Sequence, residues 1–206
     1  MRQMPGQSVF KNLVDRGDVV VGDHEPPEVR DSYSRRFAIS LHTDEIQQIE
    51  NSKKEFWLEI RNLIISDDVI RTMLRVFAPH VTERFGDRLS QIRFKPWVDL
   101  VRDKSRFSLG PHSDTPRNVV VFLFYLPENA ANKHLGTSVY VPKDPSFSCP
   151  GGPHHSRELF NCSYTADYVP NSAIGFFKSD DSFHGVETVS QDNETRNLIQ
   201  ISIQEM

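Results

Sequence analysis

The hydrophobic period of this chain changes once, near residue 90, and that change limits the folds open to it. From Thr43, apolar residues recur at roughly helical spacing: Ile46, Ile49, Phe56, Leu58, Ile60 and Leu63, with Asn51-Ser52 interrupting the face. A second helix is expected from Ser66, an N-cap residue followed by Asp67 and Asp68, which suit the positive end of a helix dipole. Val69, Met73, Leu74, Phe77 and Val81 supply its apolar face, and it should finish near Gly86. Beyond that the period shortens. Candidate strands are Ile92 to Val101, Asn118 to Leu126, Thr137 to Val141, Ala173 to Phe177, Gly185 to Val189 and Arg196 to Ile203, rich in Val, Ile and Phe and parted by turn residues. Helices first and strands afterwards point to an α+β chain whose strands form a sandwich or barrel. Residues 1 to about 40 carry Pro, Gly and scattered charges and define no element. A single domain of 206 residues is expected, mainly helical to residue 90 and β from 91.

A formal net charge of -4 gives no general electrostatic reason to bind nucleic acid or anionic membranes. The pairs Arg35-Arg36 and Lys53-Lys54 read as solvated faces. The longest apolar run, Val119 to Leu126, is too short to span a bilayer, and the first ten residues lack the apolar core of a signal peptide. A cytoplasmic protein is the expectation. Two cysteines, Cys149 and Cys162, make no disulfide framework. Both lie in a segment, 142–171, that holds five prolines and Gly151-Gly152 without sustained periodicity. Its aromatic residues Phe147, Phe160, Tyr164 and Tyr168 give it apolar anchors, so a functional lid is expected.

The stretch Arg106-Phe-Ser-Leu-Gly-Pro-His112-Ser-Asp114-Thr-Pro carries the chemistry. In an extended segment His112 and Asp114 project to one side. Together they supply two thirds of a 2-His-1-carboxylate triad, which leaves open positions on iron(II). His-x-Asp alone is a weak signal. Near the C-terminus an apolar strand ends in a polar turn, and His184 then opens the next strand. It lies seventy residues after Asp114, too far for a local zinc-finger loop. Twelve residues later Arg196 opens the last strand, where Asn197, Ile199, Ile201 and Ile203 form a core face and Arg196, Leu198, Gln200 and Ser202 the other. In a barrel that holds a polar ligand, a guanidinium there could clasp a dicarboxylate.

This order resembles the 2-oxoglutarate and iron(II)-dependent oxygenase superfamily, most nearly its prolyl-hydroxylase-like and phytanoyl-hydroxylase-like branches, over roughly residues 92 to 206. The resemblance rests on His112-x-Asp114 in "PHSDTP", the following apolar strand, "YLP", a "GT" turn, the distal His184 and Arg196. It implies a double-stranded β-helix (jelly-roll) core preceded by helices, with His112, Asp114 and His184 as the iron ligands. Arg196 would pair with the C5 carboxylate of the 2-oxoglutarate co-substrate. The implied activity is hydroxylation of an unactivated C–H bond of a small molecule or amino-acid side chain, with O2 consumed and succinate and CO2 released. Two departures stand out. The His184-to-Arg196 spacing is slightly long, so the turn from Ser190 to Glu194 must absorb the excess, and Leu198 stands where many members have Ser.

Other readings compete. A non-catalytic jelly roll that binds a metal or ligand would share the pattern. Halogenases of the superfamily lack the carboxylate ligand, so Asp114 argues against that chemistry. Cys149, His154, His155 and Cys162 could bind zinc, but neither cysteine has a second close by. His154 or His155 could instead face a substrate. His80 and His134 read as ordinary surface or satisfied histidines. Arg102, Arg106 and Arg117 flank the motif, and the sequence does not choose which of them meets an acidic group.

Overall fold

In the computed structural model, residues 3–14, 31–189 and 194–206 are described. The helices are α1 (Asn51–Ile64), α2 (Asp67–Val76) and α3 (Ala78–Phe85). Two strands precede them, β1 (Lys11–Asn12) and β2 (Arg36–Ser40). Eight follow: β3 (Phe94–Lys104), β4 (Leu109–His112), β5 (Asn118–Tyr125), β6 (Thr137–Pro142), β7 (Phe160–Thr165), β8 (Ala173–Phe177), β9 (His184–Val186) and β10 (Thr195–Glu205).

The eight C-terminal strands pair as nested antiparallel partners. β3 lies against β10, β4 against β9, β5 against β8 and β6 against β7. The chain therefore folds back on itself about the β6–β7 connection, and the resulting double ribbon winds into two facing sheets. The larger has the order β1-β2-β3-β10-β5-β8 and the smaller β4-β9-β6-β7.

Alternation along the large sheet sorts its residues between two environments. Phe37 and Ile39 of β2, Val98 and Leu100 of β3, Val120 of β5, and Ile199, Ile201 and Ile203 of β10 face the helices and pack with Trp57, Ile64, Met73, Val81 and Phe85. Full burial of side chains of this size contributes about 1.5–3 kcal/mol each. The opposite face, with Ala38, Val101, Val121, Leu123, Tyr125 and Leu198, closes on Leu109 and Val186 of the small sheet.

Several expectations change here. The apolar stretch from Thr43 splits into a short 3-10 turn at Asp44–Gln48 and then α1. The buried face of α1 runs through Trp57 and Ile64, while Phe56 and Leu63 are exposed. The expected second helix breaks at Phe77 because Pro79 cannot donate to the carbonyl four residues back and its ring clashes there. Ser66 sits at the N-cap as expected, but its hydroxyl donates to the Leu63 carbonyl instead of capping. The segment 142–171 is not one irregular loop. Its residues Phe160–Thr165 form β7, an edge strand on β6. Asn161 to Tyr164 are all exposed, on both faces of that strand, so its sequence lacks an alternating apolar signature. Residues 190–193, most of the turn expected to absorb the long His184-to-Arg196 spacing, lie outside the described residues. Among the described residues no helix is long and apolar enough to cross a membrane.

Candidate metal centre and its cavity

His112 ends β4 and His184 begins β9, and the two are direct cross-strand partners. A bulge aims them. Between the Leu109–Val186 and His112–His184 pairs, Gly110 and Pro111 stand opposite the single residue Gly185. The backbones approach so closely that a Cβ on Gly185 would lie 2.4 Å from the Leu109 carbonyl oxygen. Asp114 follows β4 by two residues and turns back between the imidazoles. Its Oδ1 lies 3.8 Å from His112 Nε2 and its Oδ2 3.8 Å from His184 Nε2.

Each imidazole is oriented from behind. His112 Nδ1 lies 3.0 Å from the Gly110 carbonyl oxygen, and His184 Nδ1 lies 3.0 Å from that of Ser182. A carbonyl only accepts, so Nδ1 carries a proton in both rings and Nε2 is the ring nitrogen turned to Asp114. Burial pushes the His112 imidazole down to about 4, with His184 adding to the shift and Asp114 opposing it, so the ring is neutral at physiological pH.

The three side chains offer ligand atoms all within 4.8 Å of one another. Among the described residues they are the one such group. Asp114 Oδ2 is buried without a hydrogen-bond partner. A buried carboxylate oxygen with no donor is costly, and a cation held between it and the two imidazoles would satisfy it. Two nitrogens and one carboxylate oxygen on one side of an ion, with the remaining positions open to a cavity, suit iron(II).

That cavity encloses about 400 Å³ between the sheets. His112, Asp114 and His184 line it beside Phe176, whose ring lies 4.1 Å from that of His184. Tyr33 and His154 close over the His112 side. The His112 and His154 rings are 4.5 Å apart, and the Tyr33 hydroxyl hydrogen-bonds His154 Nδ1. Burial, with His184 and His155 adding to it, pushes the His154 imidazole down to about 4.

Arg196 also lines the cavity and is wholly buried. Its Nε donates to the Leu135 carbonyl, Nη1 to Asp103 Oδ2 at 2.7 Å and Nη2 to Thr137 Oγ1 at 3.0 Å. On β6, Thr137 is two residues from Val139, the partner of His184. Thr137, which Arg196 contacts, and Val139, which pairs with His184, are thus about 7 Å apart along the strand, the size of a five-carbon dicarboxylate. Gln200, on the same face of β10, also lines the cavity.

Arg36 is a residue that sequence reasoning missed. Read as half of a solvated basic pair, it is instead nearly buried, holds Asp103 through Nε at 2.6 Å and Nη2 at 3.0 Å, and lines the same cavity. Only its position on β2, a strand absent from the sequence reading, places it there. Of the flanking arginines, Arg102 is directed to the other face of β3, onto the Phe10 ring and Asn197. Neither Arg106 nor Arg117 lines the cavity.

The alternative zinc set does not assemble. Cys149 is buried with Tyr140, Phe160 and Phe183, and Cys162 is exposed on β7. His155 turns toward Phe147 while His154 faces the metal cavity. His134 is exposed and lies 3.9 Å from Glu194. His80 stacks on Phe177 in a separate cleft of about 880 Å³, where among the described residues no three potential ligands cluster.

No family model matches this chain, and no curated protein is similar to it. Solved structures are. A prolyl hydroxylase from Trichoplax adhaerens, in complex with a hypoxia-inducible-factor oxygen-degradation-domain peptide, superposes with a TM-score of 0.51 at 13% identity, over 95% of this chain and 70% of that one. Together with the nested strand pairing, this decides the fold. The core is a double-stranded β-helix. A Phytophthora capsici prolyl 4-hydroxylase gives a TM-score of 0.48 at 16% identity over 93% of this chain, which spans half the length of that protein. An oxidoreductase of the 2OG-Fe(II) oxygenase family from Burkholderia pseudomallei gives 0.44 at 18% identity, over 98% and 82% of the two chains. At these identities the double-stranded β-helix is what is shared, and the chemistry rests on the site itself.

Proposed function

We propose that this protein is an iron(II)- and 2-oxoglutarate-dependent dioxygenase that hydroxylates an unactivated C–H bond of a small molecule or an amino-acid side chain. The observation that carries the reading is the buried oxygen of Asp114, without a hydrogen-bond partner, between two imidazoles in a cavity that a buried guanidinium also lines. His112, Asp114 and His184 would hold the iron, and Arg196 the C5 carboxylate of 2-oxoglutarate. Bound together, iron(II) and 2-oxoglutarate supply the activation of O2 for C–H attack, with succinate and CO2 as co-products.

The protein's own share is positioning and exclusion of water. The carbonyls of Gly110 and Ser182 fix which imidazole nitrogen meets the ion. Leu109, Val121, Leu123, Val186 and Phe176 give the cavity apolar walls. The loop before β7 is pinned across the metal side by hydrogen bonds from His155 N to the Pro111 carbonyl and from Ser113 Oγ to the Cys149 carbonyl. Together these features favour turnover in a dry pocket over a passive binding role.

The test is anaerobic titration of iron(II) and 2-oxoglutarate, followed by oxygenation with a metabolite library and mass spectrometry. A visible charge-transfer band, succinate release and a product heavier by one oxygen are expected. Arg196→Ala should weaken 2-oxoglutarate binding by about ten- to a hundredfold and spare iron affinity, as loss of a charge-assisted bidentate contact does. Absence of any iron-dependent 2-oxoglutarate turnover would leave a metal-binding jelly roll without catalysis.

A further inference from the structure

Arg36, Asp103 and Arg196 occupy one rung of the large sheet. Asp103 on β3 is the register partner of Arg36 on β2 and of Arg196 on β10. All three side chains project to the inner face, and the one carboxylate is shared. Arg36 Nε meets Asp103 Oδ1 at 2.6 Å while Arg196 Nη1 meets Oδ2 at 2.7 Å. Asp103 and Arg196 are fully buried, and the Arg36 side chain is 12% exposed, with its guanidinium 4.5 Å from the centroid of the Phe107 ring. Two guanidiniums against one carboxylate leave a positive charge on the lining of the cavity. Asp99, four residues back on the same face of β3, stands about 13 Å along the strand from Asp103; it accepts from Trp97 Nε1 and lies in register with Ser40 and Gln200.

Burying an uncompensated charge is expensive unless a counter-ion completes the group. A guanidinium carries five N–H donors. Among the described residues Arg36 commits Nε and Nη2 to Asp103, and Arg196 commits Nε, Nη1 and Nη2 one bond each. Both therefore keep donors for a further anion, and both line the metal cavity.

We infer that Arg36, supplied by a strand outside the eight-stranded core, is a second anchor for the remote carboxylate of the co-substrate, so that Asp103 holds two guanidiniums in a pincer around that carboxylate. This rests on the 2-oxoglutarate reading of the cavity and assigns it a residue that the core strands do not provide. Asp103 is a positioning residue, since it acts through the two arginines. A single guanidinium on β10 would grip a carboxylate from one side. A pincer also selects for it, because a 2-oxo acid with an uncharged tail would leave the excess charge buried and unmatched.

The experiment is a ligand-truncation cycle on the full chain loaded with manganese(II), which avoids turnover. Dissociation constants are measured calorimetrically for 2-oxoglutarate and for 2-oxobutyrate, which has the chelating end but no remote carboxylate. Wild type should prefer 2-oxoglutarate. Arg36→Gln should lose about ten- to a hundredfold in affinity for 2-oxoglutarate, with 2-oxobutyrate binding unchanged, and Arg36→Lys should recover part of the difference. Equal losses for both ligands would make Arg36 a purely structural partner of Asp103 and overturn the inference, as would no loss for either. Should Arg36→Gln fail to fold, the charge-conserving Arg36→Lys still decides, since the inference requires it to weaken 2-oxoglutarate selectively. A wild type that binds 2-oxobutyrate as well as 2-oxoglutarate would instead sink the co-substrate reading itself.

Discussion

Asp103 and Arg196 face each other across β3 and β10 with 2.7 Å between Oδ2 and Nη1, and neither side chain is exposed to solvent. The pair belongs to the interior of the sandwich, where removal of one partner leaves a bare charge. Its two members are not equivalent, because Asp103 also holds Arg36.

Asp103→Asn should therefore be the more damaging change. It strands two buried guanidiniums and is expected to cost about 3–5 kcal/mol. Arg36→Gln should cost less, since Asp103 then keeps Arg196. Urea unfolding of the two variants measures the order, and an Asp103→Asn protein as stable as Arg36→Gln would contradict the shared-carboxylate account.

Asp114→Gly should keep the fold and lose most of the metal affinity. Its Oδ2 has no hydrogen-bond partner to forfeit, and removing a buried carboxylate relieves negative charge in the metal-free site. His184→Ala should lose metal as well. Circular dichroism and anaerobic iron titration separate the two effects. Wild-type iron affinity in either folded variant would show that the ligand set is wrong.

Gly185→Ala tests the bulge. The added Cβ would stand 2.4 Å from the Leu109 carbonyl oxygen and 3.0 Å from that of Gly110, so β4 must move away from β9. His112 and His184 would then part, and cobalt(II) binding should weaken while far-ultraviolet dichroism stays close to wild type. Unchanged cobalt affinity would mean that the close strand approach does not set the ligand spacing.

The metal-free protein should lose stability as pH falls from about 6.5 towards 4. His112 and His154 are both held near 4 in the folded chain by burial and return to their ordinary value of 6.5 when it unfolds. In that window the unfolded chain binds more protons, so stability is full above 6.5 and declines below it. Each group changes it by at most about 1.4 kcal/mol per pH unit. Urea midpoints between pH 7.5 and 4.5 measure the slope, which His154→Asn should make shallower. An identical slope in that variant would remove His154 from the account.

Much of this architecture was legible in local pattern. The six strands read from alternation are all present, with Ala173–Phe177 at its expected bounds, because a half-buried strand shows its period in its own residues. The grouping of His112, Asp114 and His184 was legible for a related reason. His112 and Asp114 are two apart, and the bonds that orient His112 and His184 run to carbonyls two residues back. What the tertiary structure alone decided was the company these residues keep. β4 and β7 are too short or too exposed for a periodic signal, and β2 carries Arg36 on its inner face, where charge reads as solvent exposure. An Arg-Arg pair looks the same in sequence whether it faces water or a buried aspartate 67 positions away. Register decides which, because it puts Arg36, Asp103 and Arg196 on one rung, and register is a property of the paired strands rather than of any one of them.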